Sequence, residues 1–284
     1  MKTALLLVAV IAAGTALALT YGITTWQAET RNIRARMNTA RLPVAPAVYQ
    51  ERELDGLPAP VQRYFRAVLR EGQPVIAVAR FSTEGEFRRS ESAESWAPFD
   101  ASQMATVRPP AFDWDARIRW LPGLRMFVRD AYFARSGTLH AAAYGLITLA
   151  RQRGGEQLAQ GELMRYLAEA PWYPTALLPG RGVRWQAIDG HTARASLADG
   201  PVAISLDFEF DGDGLIRAVR SAGRYRMLEG AAVLTPWEGR FWSYGERSGV
   251  RIPLQGEVAW LTPSGRLPYW RGRIIEISYE LERD

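Results

Sequence analysis

GELMRYLAEAPWYPTALLP, residues 161–179, is the one convincing helical segment in a body that otherwise reads as β-strand. About five strand-like runs precede it and about seven follow. A helix-and-loop insert, placed at 156–179, thus interrupts one large antiparallel sheet. About twelve strands of ordinary length do not stay flat, and a curled sheet needs its concave face filled. The expected fold class is α+β: a large curved antiparallel sheet, an unclosed half-barrel, with helices packed in the concave face, preceded by an N-terminal transmembrane helix. Leu163, Leu167 and Trp172 are the residues expected to hold the insert against the hollow.

Outward from the insert the period is two. Residues 75–89 and 92–107 read as strands. In 111–121, Phe112, Trp114, Ala116, Ile118 and Trp120 alternate with Asp113, Asp115, Arg117 and Arg119, a pattern of one buried and one wet face. On that reading Asp113 and Asp115 face water. The run 125–135 places Asp130 on the same face as Met126, Val128 and Tyr132, and 138–151 is a strand rich in Ala and Gly. Small residues along a strand mark close backbone packing or open space. After the insert, 183–188 and 192–197 flank the Asp189-Gly190 turn, and 202–210, 215–227, 237–247, 250–261 and 269–281 complete the series.

Residues 4–23, ALLLVAVIAAGTALALTYGI, contain no charge and are as long as a bilayer-crossing helix requires. The competing reading is a cleaved leader, with Ala16-Leu17-Ala18 as its cleavage site. The length of the apolar run favours an uncleaved single-pass anchor. Residues 1–37 are therefore assigned to the anchor and its flanking helix, 38–57, broken by Pro43 and Pro46, to a linker, and 58–284 to a single curved-sheet domain. In that domain Val61, Tyr64, Phe65, Val68 and Leu69 fall at helical spacing after Pro58.

Composition removes several function classes. The net charge of +5 comes from Arg dispersed among acidic residues, with Lys2 the only lysine, and lacks the clustered stripe that a phosphate backbone needs, so no nucleic-acid partner is expected. Without cysteine there is no disulfide, thiolate nucleophile or thiolate metal site. His140 and His191 are far apart and no metal site is expected. No phosphate-binding, dinucleotide or nucleophile-elbow motif occurs, and no cofactor is implied.

VQRYF near the start, WDARI and VRDAY in the middle, and GELMRYLAE followed by WYPTALLP and VRWQAIDG together resemble an uncharacterised bacterial family of unknown function, the DUF6544/DUF6920 type. The resemblance covers residues 58–281 and implies no activity. In architecture alone the layout is similar to the periplasmic lipoprotein carriers of the LolA/LolB type, half-barrels with helices lining a hollow. The expectation of a lipid or other hydrophobic ligand comes from the membrane tether, the curved sheet and the small residues of 138–145 together, and the body is expected on the periplasmic, extracytoplasmic side of the cell membrane. The count of Arg31, Arg34 and Arg36 against Lys2 points the other way, to the cytoplasm.

The reading taken first is a membrane-tethered module of the bacterial cell envelope that binds a lipid or other hydrophobic molecule, with Trp114, Asp130, Tyr132, Tyr144, Tyr166 and Trp172 as candidate ligand-binding residues. An enzyme is the second reading. Its candidate acids and bases are Asp130, Glu162 and Glu169, with Arg129 or Arg165 orienting an anion. An Asp on an apolar face must be paired or have a raised pKa, so a salt bridge to Arg is the structural alternative for Asp130. Likewise each tryptophan is by itself better explained as core filling than as pocket lining. A scaffold or sensor that binds a protein partner is the third reading.

Overall fold

The structure, a computed structural model, describes residues 1–91, 93–228 and 230–282. It opens with α1 (Lys2–Thr39), a short 3-10 turn (Glu51–Leu54) and α2 (Ala59–Val68). Six strands follow: β1 (Ile76–Arg88), β2 (Trp96–Thr106), β3 (Ala111–Leu121), β4 (Leu124–Phe133), β5 (Ser136–Ala143) and β6 (Ile147–Arg153). Next come α3 (Glu156–Glu169) and 3-10 turns at Ala170–Trp172, Pro174–Leu177 and Pro179–Arg181. Seven further strands end the chain: β7 (Arg184–Ala187), β8 (Thr192–Asp199), β9 (Val202–Phe210), β10 (Ile216–Leu228), β11 (Ala231–Arg247), β12 (Val250–Thr262) and β13 (Gly265–Leu281).

All thirteen strands form one sheet in the order β6-β5-β4-β3-β2-β1-β13-β12-β11-β10-β9-β8-β7. Every neighbouring pair is antiparallel, and the two halves of the chain are joined where β1 pairs with β13, with Phe81 opposite Ile277. The free edges are β6 and β7, the two strands that flank α3 in sequence. Twist of roughly 20° per strand pair curls such a sheet, and α3 lies in the hollow against β5 and β4 on one side and β9 and β10 on the other. The fold is a large unclosed antiparallel half-barrel with a helix inside it. Leu163, Leu167 and Trp172 are buried in the main core, and Val61, Tyr64 and Phe65 of α2 join the same core.

The sheet has one strand more than the periodicity suggests. Residues 138–151 are not one strand, because Tyr144 and Gly145 adopt left-handed conformations, with φ of 53° and 71°, and turn β5 into β6. The strand expected from residue 92 begins at Trp96, and Ser92 lies outside the described residues. Small residues in β5 serve close packing: a Cβ on Gly137 would lie 2.7 Å from Leu158 Cγ and 2.8 Å from Leu158 O, so this glycine lets α3 approach the strand.

The largest departure concerns α1. It is a continuous helix that is exposed from Lys2 through Ala18 and whose second half packs on the convex face of β1–β5. Gly22, Trp26, Thr30 and Met37 are its buried residues. Asp113 and Asp115, expected to face water, are buried beneath it. Trp26 Nε1 donates to Asp115 Oδ1 at 2.7 Å and Thr30 Oγ1 to Asp115 Oδ2 at 2.8 Å. Arg34 Nε donates to Asp113 Oδ2 at 2.7 Å, and Arg129 Nη2 donates to Thr30 Oγ1 at 2.6 Å. Strand alternation separates two faces but does not say which is covered; here both are. The segment 38–57 that follows is held to the body by Leu42 N donating to Arg108 O at 2.9 Å, Tyr49 N to Gln73 O at 2.9 Å, and the buried Leu54.

Candidate functional site

Between α3 and the strands lies a cavity of about 930 Å³. Trp114, Trp172, Trp237, Trp260 and Trp270 line it together with Phe87, Leu139 and Tyr269. One lip is the junction of β6 and α3, residues 152–158, and the other is formed by β10 and β11 at Tyr225–Met227 and Ala232. The strands supply the tryptophans because their inward positions alternate, so a curled sheet points every second side chain at the hollow.

The polar wall comes from α3, β4 and β10. Glu162, Arg165 and Glu169 lie three and four residues apart and share one helix face. Arg165 Nη1 donates to Asp130 Oδ2 at 2.7 Å and Arg165 Nε to Glu169 Oε1 at 2.8 Å. Gln103 Nε2 donates to the other Glu169 oxygen at 2.6 Å. The Arg165 guanidinium also sits 4.8 Å from the centre of the Trp114 ring. Arg224 Nη2 is 3.9 Å from Glu162 Oε1, and its guanidinium lies over Trp237. Three carboxylates thus face two guanidiniums in a largely buried site.

Burial dominates the titration of this cluster. Burial, and next the charge of Asp130, pushes Glu162 up to about 8 in spite of Arg224 and Arg165. Burial also raises Asp130, against the pull of Arg165 and Arg224. Glu162 is 4% exposed, and its Oε2 and the Oδ1 of Asp130 are buried oxygens without a hydrogen-bond partner. Such atoms carry a desolvation cost that a bound donor would relieve.

The residues singled out from sequence divide into two groups. Trp114, Asp130, Glu162, Glu169 and Trp172 converge on the cavity. Tyr132 is in the core, its hydroxyl donating to Asp199 Oδ2 at 3.0 Å. Tyr166 packs against Tyr173 at 5.6 Å between ring centres. Tyr144 is in the β5–β6 turn, where its hydroxyl bonds to Gly123 O. Arg129 is on the convex face under α1 and does not share the hollow with Asp130. Arg224, Trp237 and Tyr269 were not anticipated together; Trp237 Nε1 donates to the Tyr269 hydroxyl at 2.9 Å. Among the described residues no group of three or more His, Asp or Glu side chains could hold a metal ion.

A hollow antiparallel half-barrel with an internal helix and an aromatic cavity is the class that fold and site define. The chain belongs to a family of unknown function, DUF6920, whose model matches residues 55–279. Among solved structures it is similar to a LolA superfamily protein from Nitrosomonas europaea, with 8% identity and a TM-score of 0.42, covering 78% of this chain and 92% of that one. It is also similar to a beta-barrel-like protein of domain of unknown function DUF1849 from Brucella abortus, with 8% identity and a TM-score of 0.27, covering 72% of this chain and 99% of that one. No curated protein matches it.

Proposed function

We propose that this protein is a membrane-tethered binding module that holds a lipid or other hydrophobic molecule in the hollow of the half-barrel. The observation that carries this reading is the aromatic cavity of about 930 Å³ with a polar cluster set into its wall. Its volume is in the range of sites that take whole small molecules, roughly 300–1,000 Å³. The apolar part of the ligand lies among Trp114, Trp172, Trp237 and Trp270. A hydroxyl or other polar group at its other end meets Glu162 Oε2 and Asp130 Oδ1, two buried carboxyl oxygens of the wall without a partner.

The tether is α1, the one helix among the described residues long and apolar enough to cross a membrane. Its unbroken course through Ala16-Leu17-Ala18 and the docking of its second half support an anchor over a cleaved leader. The body is assigned to the extracytoplasmic side, which labelling of a single introduced cysteine in intact cells would check. Titration of the protein with brominated fatty acid tests the binding reading. Quenching of tryptophan fluorescence with saturation near one equivalent is the expected result, and fluorescence that does not respond would count against it.

The acid–base reading is favoured by one observation: Glu162, raised to about 8, stands in the cavity beside Asp130 with an oxygen unpartnered. A pH-dependent turnover lost in Glu162→Gln would support it over simple binding.

A further inference from the structure

We infer that the β5–β6 hairpin rests on the bilayer that α1 crosses, and that the free edge of β6 forms the path between that bilayer and the cavity. This rests on the reading of α1 as a membrane anchor.

The point at which α1 leaves the body is fixed by close packing. A Cβ on Gly22 would lie 2.4 Å from Leu146 Cγ and 2.6 Å from Tyr144 O. The turn between β5 and β6 is thus pressed against the helix where its apolar run, residues 4–23, ends. The Tyr144 hydroxyl bonds to Gly123 O, which ties the β3–β4 turn to the same level. The helix cannot swing freely at this junction, since Trp26, Thr30 and Arg34 bind Asp115 and Asp113 within the next three turns. An anchored α1 therefore sets the height of both turns above the membrane.

At that height the protein surface is apolar. Leu121, Leu146, Ile147 and Leu149 are 53%, 37%, 66% and 59% exposed. Tyr21 on the helix and Arg125 at the start of β4 are also exposed, residue types that favour the headgroup layer. All of β6 is exposed, and it is an unpaired edge of the sheet. Exposed apolar edge strands in water invite aggregation, and soluble proteins guard them with charge or cover. Here the half of β6 nearest α1 carries Ile147 and Leu149, while the charges, Arg151 and Arg153, lie toward its other end. A bilayer surface covers the apolar half and leaves the charged half in water. Continuity with the cavity follows from the same strand: Leu139 of β5 is opposite Gln152 of β6, and both line the hollow. From Ile147 to Gln152 is roughly 17 Å of extended chain, at about 3.3 Å per residue.

The chain has no cysteine, so single labels report cleanly. Full-length Val10→Cys, Ile147→Cys and Ile188→Cys, each carrying an environment-sensitive fluorophore, are reconstituted in phosphatidylethanolamine–phosphatidylglycerol vesicles doped with nitroxide-labelled phosphatidylcholine. Ile188, exposed beyond β7, is the control. Quenching at positions 10 and 147 but not 188 is the expected result. Quenching at 10 without quenching at 147 overturns the inference and leaves the anchor standing; no quenching at 10 removes the anchor and the inference with it. A label at 147 shielded from water yet untouched by lipid quencher marks a protein partner on the β6 edge, and also overturns it. In the second arm, Ile147→Ser/Leu149→Ser slows uptake of a fluorescent fatty acid from the vesicles by at least about tenfold, since each large aliphatic side chain lost from burial is worth about that factor or more, with an unchanged melting temperature. Uptake at the wild-type rate would remove the edge as the path.

Discussion

Arg165 Nη1 donates to Asp130 Oδ2 at 2.7 Å while Nε of the same guanidinium donates to Glu169 Oε1 at 2.8 Å, so one side chain of α3 neutralises a carboxylate on the sheet and one on its own helix. This makes Arg165 and Asp130 unequal. Arg165→Met leaves two largely buried carboxylates uncompensated and should cost about 3–5 kcal/mol. Asp130→Asn keeps an oxygen to accept from Arg165, whose charge Glu169 still balances, and should stay within about 1 kcal/mol of wild type. Urea unfolding of both variants measures the difference; equal losses would show that the ion pair is not organised as described.

Glu162 gives the fold a pH signature. Its folded pKa, about 8, is above the value of an ordinary glutamate. The stabilisation of the folded state by the protonated acid is complete below the unfolded pKa and is lost as pH rises to about 8. Glu162→Gln cannot ionise, so its melting temperature should gain on wild type between pH 5 and pH 8.5. A difference that is flat with pH would place Glu162 in contact with water or with a stronger cation.

Truncation separates the two halves of α1. Removing residues 1–21 leaves Trp26, Thr30 and Arg34 over Asp115 and Asp113, and the remainder should fold with a melting temperature close to that of the full chain. Removing residues 1–40 uncovers both carboxylates together with Ala77, Val78 and Met104, and that product should melt lower or aggregate. Indistinguishable melting curves for the two truncations would contradict the docking of α1 as a structural element.

Much of the fold was legible because alternation in stretches such as 111–121 and 250–261 is a direct consequence of a pleated strand with two unlike faces. Alternation does not identify what covers each face, so by itself it puts the buried Asp113 and Asp115 in water. A signal was present in α1: Gly22, Trp26, Thr30, Ile33 and Met37 recur at intervals of four, four, three and four, a stripe of the kind that packs. Its meaning was obscured by the apolar run before it, which read as an anchor leading to a linker. The site was legible in part. Apolar neighbours and helical spacing single out Asp130, Glu162 and Glu169, three residues that line the cavity. Arg224 was missed because several arginines punctuate β10 and an irregularity between Ser221 and Arg224 breaks the register that would have assigned its face.

Close packing of α3 on β5 depends on Gly137. Gly137→Val should displace the helix at Leu158 and cost about 1–3 kcal/mol, as overpacking generally does. Loss of fatty-acid binding at low temperature, where the variant remains folded, would accompany it, because the same helix forms the cavity wall.

The central claim is that the hollow is filled by an apolar ligand, and mass spectrometry of the native protein with an organic extract of the same sample tests it most directly. A protein starting at residue 22, purified without detergent, should carry about one equivalent of an amphiphile, and Trp172→Ala should lose it. Native protein of bare polypeptide mass, with an extract free of amphiphile and no uptake when one is offered, would contradict the account.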